Sequence, residues 1–253
     1  MRSTSKSLLH RIAACPYVTS CLNSAVQHPC RTIVESQKRT TTTDFHVPEP
    51  WSGHIERAPL LFVSSNPSID ELEFYPTMAS IQEELADFFV HRFGGGRREW
   101  VRDGLYPLHR DGTFRPEWVR FWASVRARAR ELLGPSVVEG RDYVMTEIVH
   151  CKSRGEEGVL EAEEFCADQY LERILESAAA HVVVALGGVA KRQIRRVFPL
   201  LRNSRVAGPL AISSRERWFV FLPHPNQRGP KKSFAANLGE SELWRLQSIA
   251  RRC

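Results

Sequence analysis

APLLFVSSNPS, running from Ala58 to Ser68, is a continuous apolar run that stops at Asn-Pro. Such a run, bounded by a turn signal and too short for a buried helix, reads as a strand covered on both faces, as in a parallel sheet. Its neighbours keep the same rhythm. MASIQEELADFFVHRFGGG follows, with Ile81, Leu85, Phe88 and Phe89 at helical spacing and Gly94 to Gly96 as a stop. PEWVRFWASVRARARELLG gives a second amphipathic helix, with Pro116 in its first turn and Gly134 at its end.

Then come a strand at DYVMTEIVHC, a helix at EAEEFCADQYLERILESA, a strand at HVVVALG and a helix at GVAKRQIRRVF. RWFVFLPHP forms a last core strand after an edge segment at GPLAISS, and ESELWRLQSIARR closes the chain as a helix. Alternation of this kind predicts an α/β protein, a three-layer α/β/α sandwich around a mostly parallel sheet of about four strands. No internal repeat is visible.

The chain has 253 residues and is 42% hydrophobic, enough for one substantial core. Residues 51–253 read as the folded domain. Residues 1–50 read as an extension: KRTTTTDFHVPEPWSG is polar, and the first 34 residues hold Arg2, Lys6, Arg11 and Arg31 but no Asp or Glu. Two readings stand for it, a transit-peptide-like segment or a disordered tail. The formal net charge of +6 favours an anionic partner. No run approaches the about 20 apolar residues of a membrane span, so no membrane partner is expected.

The six cysteines, Cys15, Cys21, Cys30, Cys151, Cys166 and Cys253, contain no Cys-x-x-Cys pair. In a chain of this size that fits a reducing, intracellular compartment, with nucleus, cytoplasm and mitochondrion all open.

In open α/β sheets ligands bind beyond the carboxyl ends of the strands, where strand order reverses. Four predicted strands end in notable residues: SSNPS, TEIVHCKS, LGG and HPN. Asn66 is held rigid by Pro67 and suits the orientation of a water, or simply ends the strand. His224, between Pro223 and Pro225, suits a preorganised donor toward developing negative charge, or a histidine satisfied by its own loop. The first turn lacks G-x-S-x-G, which disfavours a serine nucleophile. LGG is followed by neither G-x-G-x-x-G nor a P-loop, so no nucleotide cofactor is expected.

Taken together and in order, SNPS, TEIVHCKS, HVVVALGGVAKRQI and FLPHPN resemble the uracil-DNA glycosylase superfamily over most of Ala58 to Leu246. SSNPS looks like the G-x-N-P-G motif of the mismatch-specific and single-strand-selective branches, and HPN like their H-P-S motif. The segment from TEIVHCKS to HVVVALG is similar in layout to the iron-sulfur branch.

The resemblance implies a monomeric base-excision repair glycosylase that flips a damaged base out of DNA and hydrolyses its N-glycosidic bond without a catalytic metal. Asn66 would position the water and His224 would stabilise the leaving base. Ser65 would lie against the base, with Phe74 or Tyr75 stacking on it or else filling the core. Asn226, Gln227 and Arg228 would enter the duplex, and Lys231 and Lys232 would grip phosphates. A non-catalytic nucleic-acid-binding relative is the alternative.

Three departures stand out. Glu147 occupies the strand end where many members read the base with an Asn, and it either reads a base edge or pairs with a nearby cation. Ser65 and Ser68 replace glycines. Cys151 and Cys166 match the later pair of [4Fe-4S] ligands, but the early pair should be close in sequence. Cys15, Cys21 and Cys30 are scattered, so the ligand set looks incomplete and no cofactor is required.

Overall fold

The computed structural model of the chain describes residues 2–23, 27–39, 41–201, 204–229 and 231–252; Cys253 lies outside them. In chain order the elements are α1 (Ser3–Ala13), α2 (Pro16–Asn23), α3 (Arg31–Ser36), β1 (Leu60–Ser64), α4 (Gln82–Val90), β2 (Val101–Arg102), β3 (Tyr106–Pro107), α5 (Arg120–Leu133), β4 (Tyr143–Glu147), α6 (Val159–Ser177), β5 (Val182–Leu186), α7 (Gly187–Val197), β6 (Val206–Ile212), β7 (Arg215–Leu222), α8 (Phe234–Asn237) and α9 (Glu240–Ala250).

The main sheet has the order β4-β1-β5-β7-β6, with every pairing parallel except the antiparallel edge β6–β7. It thus has five strands rather than about four, and the GPLAISS segment lies in the fifth. β2 and β3 form a separate two-stranded ribbon.

The strand period of two sorts the apolar runs into two cores. Leu61 and Val63 of β1, Val183 and Ala185 of β5 and Phe219 of β7 face α1, α4, α6 and α7. Leu60, Phe62, Val182, Val184 and Val220 face α5, α8 and α9. The architecture is therefore a three-layer α/β/α sandwich. β1, β4 and β5 are buried at every position, which is why their sequences run apolar without alternation.

Two expectations need correction. Residues 3–36 are not an unpacked tail. They form three helices whose Leu8, Leu9, Ile12, Val18, Ile33 and Val34 are almost wholly buried in the core shared with α4 and α6. The second predicted helix begins at Arg120, beyond Pro116, because the Val119 N–H is taken by the Leu105 carbonyl at 2.9 Å. Its end does fall at Gly134, whose φ of +101° suits glycine. Among the described residues no helix is long and apolar enough to cross a membrane.

Candidate functional site

From β1 the chain crosses to β4 on one side, and from β4 it returns past β1 to β5 on the other, so strand order reverses beside β1. Beyond the carboxyl ends there lies a cavity of about 840 Å3, lined by Asn66, Glu147, Gly187 and His224 from the four predicted strand ends. The loops after β1 and β4 are zipped together. Ile148 and Val149 N–H groups donate to the Ser64 and Ser65 carbonyls at 3.0 and 2.9 Å, and Ser153 N–H donates to the Pro67 carbonyl at 3.1 Å. That pairing continues the sheet past its formal end and fixes the SNPS turn.

The Asn66 amide is oriented by its surroundings. Its Nδ2 donates to Ser153 Oγ at 2.9 Å and to the Pro67 carbonyl at 3.1 Å. The Ser65 hydroxyl bonds tightly to Glu156 and only weakly, at 3.4 Å, to Asn66 Oδ1. Because the one Ser65 proton goes to the carboxylate, Oδ1 keeps its acceptor capacity for a water or hydroxyl in the cavity.

His224 is half-buried, and burial lowers its pKa, with Glu156 opposing and Lys232 adding to the effect. The imidazole is therefore neutral near pH 7. Its Nδ1 lies 3.2 Å from the Asn226 backbone N–H and must accept from it, so the ring proton sits on Nε2. Phe121 stacks on the ring at a centroid distance of 5.6 Å. The third strand end makes room for it: Gly187 has φ +89°, and a Cβ there would lie 2.9 Å from His224 Cβ. LGG thus serves as a seat for the histidine and the start of α7.

Glu147 is buried at the end of β4, in register with Ser64, whose hydroxyl bonds to Glu147 Oε2. Burial pushes the carboxyl up to about 8; Ser64 and Arg92 oppose the rise, while Glu49 and Glu156 add to it. At neutral pH it is mostly the neutral acid, which donates from one oxygen and accepts at the other. No basic side chain forms an ion pair with it among the described residues.

Beneath it is a buried quartet that no local sequence pattern announced. Arg92 bonds Glu49 at 2.9 Å and also Glu73, while Lys152 bonds Glu73 at 3.1 Å. The two cations hold both carboxylates below their ordinary range against the cost of burial, Glu73 at about 2. Two carboxylates and two cations leave this floor without net charge.

The remaining predicted residues divide. Ser65, Asn226 and Gln227 line the cavity. Arg228 and Lys231 are exposed beyond its rim, but the Lys232 ammonium folds back onto the Pro225 carbonyl. Phe74 and Tyr75 are not on the cavity wall. Phe74 stacks on Trp100 at 5.2 Å, and Tyr75 is buried with its hydroxyl donating to Glu49 at 3.1 Å and Lys152 Nζ 3.6 Å from its ring. The aromatic wall comes instead from Phe121 and Trp122 at the start of α5. Their position beside a helix stop-and-start was the available signal, and helical periodicity disguised it as core packing.

Cys151 and Cys166 do not reach this cavity. They line a separate apolar void with Cys15 and Cys30, between the amino-terminal helices and α6. No family model matches the chain, and no curated protein matches it.

Proposed function

We propose that the chain is a DNA glycosylase of the uracil-DNA glycosylase type, which receives an extruded deaminated base in this cavity and hydrolyses its N-glycosidic bond. The observation that carries the reading is the convergence of Asn66, neutral His224 and neutral Glu147 on one cavity with an aromatic wall. Hydrolysis of this bond develops positive charge on the sugar and negative charge on the base. The Nε2–H of His224 is a fixed donor for an oxygen of the departing base. Asn66 Oδ1 accepts a proton of the attacking water and aims its oxygen at the sugar carbon. As the new C–O bond forms, the C–N bond breaks with its electron pair leaving on the base, and the surplus water proton passes to solvent.

Glu147 supplies the base-reading part. With Oε2 taking the Ser64 hydroxyl bond, Oε1 carries the proton. A donor beside an acceptor complements a C=O next to a ring N–H, the edge that deamination creates in uracil and hypoxanthine. Arg228 and Lys231, exposed behind His224, fit contacts to phosphate.

The test is excision by the purified chain on labelled oligonucleotides carrying uracil, hypoxanthine or xanthine, with Asn66→Ala as control. Release of a base that disappears in the variant supports the reading. One observation favours the non-catalytic alternative: the Ser65–Glu156 bond narrows the approach to Asn66 where a glycine would leave it open. Salt-sensitive DNA binding with no excision on any substrate would establish that alternative instead.

A further inference from the structure

Attack of water on a sugar carbon needs a proton acceptor, because one of the two water hydrogens must leave as the C–O bond forms. Asn66 Oδ1 orients that water, but an amide oxygen only accepts a hydrogen bond and does not carry a proton away. His224 is turned the wrong way for the task. Its Nε2 bears a proton and its Nδ1 is taken by the Asn226 N–H at 3.2 Å. The acceptor has to be a carboxylate.

Among the described residues six carboxyl groups line the cavity: Glu49, Asp70, Glu73, Glu147, Glu156 and Glu163. Five are engaged elsewhere. Glu49 and Glu73 are neutralised by Arg92 and Lys152 in the floor. Glu163, buried on α6, holds Arg192 of α7 through two bonds, from Nε at 3.1 Å and Nη2 at 2.7 Å. Asp70 takes the Leu72 N–H at 3.0 Å and the Arg115 guanidinium at 3.4 Å. Glu147 already carries its proton at neutral pH. Glu156 remains, exposed to solvent and in no ion pair among the described residues.

Its position is fixed by the loop after β4. Gly155, Glu156 and Gly158 all have left-handed backbone there, with φ of +55°, +63° and +76°. A glutamate rarely adopts that conformation, and here the surroundings impose it. Glu157 N–H donates to the Arg154 carbonyl at 3.0 Å and Val159 N–H to the Glu156 carbonyl at 3.1 Å. Arg154 pairs with Glu71 in the loop after β1, and Glu71 is also held by Arg39 at 2.6 Å. The Glu156 side chain thus reaches back to the end of β1, where Oε1 accepts the Ser65 hydroxyl. Ser65 Oγ in turn stands 3.4 Å from Asn66 Oδ1. One water can reach both oxygens at that spacing, donating a hydrogen to each and turning its lone pairs toward the cavity. Water, Ser65 and Glu156 then form a continuous path from the attacking oxygen to solvent.

We infer that Ser65 and Glu156 are a proton relay for the hydrolytic water, with Glu156 as its terminal acceptor. As the water oxygen bonds to the sugar carbon and the C–N electron pair leaves on the base, the water proton moves to Ser65 Oγ and the Ser65 proton to Glu156 Oε1. Glu156 then releases it to solvent, and the base anion held by His224 takes its own proton from solvent. Atoms and charge balance. The contact that narrows the approach to Asn66 is the one through which the water loses its proton. This inference rests on the glycosylase reading and adds to it two residues whose roles Asn66 and His224 do not cover.

The experiment is single-turnover excision by the full chain, across pH, on labelled oligonucleotides carrying uracil, hypoxanthine or xanthine, with DNA binding followed by fluorescence anisotropy. The charged and titratable groups facing Glu156 are Glu147 at the end of β4, His224 after β7 and Arg192 on α7, the last paired to Glu163, and all of them stay in place in the variants. The wild-type rate should fall as the medium is acidified, because the acceptor fills before the reaction. Glu156→Gln should lose about 100-fold or more in rate with binding retained, and should lose the acid-side fall as well. Glu156→Ala should regain rate on addition of sodium formate, a small carboxylate for the vacated space, which loss of a merely structural side chain would not allow. Ser65→Ala should also be slowed, without rescue by formate. A wild-type rate and pH profile in Glu156→Gln, no formate rescue, or faster cleavage by Ser65→Gly, which would mark the bond as an obstruction, would each overturn the relay. The glycosylase reading would survive those results as long as Asn66→Ala still abolishes cleavage. A wild-type chain that excises none of the three bases would overturn both.

Discussion

Replacing Glu147 by Gln keeps the shape, the Ser64 partner and a donor beside an acceptor, but removes the titrating proton. In the folded protein the carboxyl is raised from its usual 4.5 to about 8, chiefly by burial. The folded state therefore binds more protons than the unfolded state between these values, and stability contributed by this group falls as pH rises through that window. At about 1.4 kcal/mol per pH unit, ionisation penalises the wild-type fold by about 1 kcal/mol at pH 5, about 3 at pH 7 and about 5 at pH 9. Glu147→Gln escapes the penalty.

Urea unfolding of both proteins, followed by tryptophan fluorescence at those three pH values, gives the difference directly. The other buried groups near the site, Glu49, Glu73, Arg92 and His150, are present in both proteins and cancel to first order. Gln should therefore gain on Glu steadily from acid to alkaline pH. A difference that stays flat, or that moves in favour of Glu as pH rises, would refute the neutral-acid assignment. Excision should follow the same group: wild-type activity falls above about pH 8 as the donor is lost, whereas the Gln variant holds its activity there.

Asn66→Ala should cut turnover by about two orders of magnitude or more with DNA binding retained, measured by single-turnover excision and by fluorescence anisotropy. His224→Ala should slow bond cleavage by about 100-fold or more, as expected for loss of one preorganised donor, with little change in binding. Gly187→Ala forces a Cβ to 2.9 Å from His224 Cβ at a φ of +89°, and should depress kcat toward the His224→Ala value although residue 187 carries no reacting group. Arg228→Ala with Lys231→Ala should weaken DNA binding irrespective of sequence and reduce the salt slope by about 2, read from binding between low and moderate salt.

Where the sequence was legible, the reason is burial on both faces. Leu60–Ser64 and Val182–Leu186 have no solvent side, so their composition alone marks them as central strands, and their ends then point to the site. Asn66 and His224 were legible because proline fixes the backbone beside each. The amino-terminal helices were hidden by their Ser, Thr and Cys content, although Leu8, Leu9 and Ile12 do form a helical stripe. Their partners, on α4 and α6, lie far along the chain, and only the fold brings Cys15 and Cys30 beside Cys151 and Cys166. Glu49, Glu73, Arg92 and Lys152 were illegible for the same reason: each is unremarkable in its own segment.

That quartet also explains how Glu147 can be neutral a short way from two buried cations. Had Arg92 or Lys152 been unpaired, its charge would have drawn the Glu147 proton off and made the strand end a carboxylate, unable to donate. Glu49 and Glu73 absorb both cations instead, with Arg92 further held between the faces of Tyr75, Phe88 and Trp122. The net effect of Glu49 on Glu147 is upward and that of Arg92 downward, and both are outweighed by burial. Tyr75, expected from the sequence to stack on a base, thus acts one layer below the cavity. Its hydroxyl and ring hold the paired ions beneath Glu147, whose own burial keeps it uncharged.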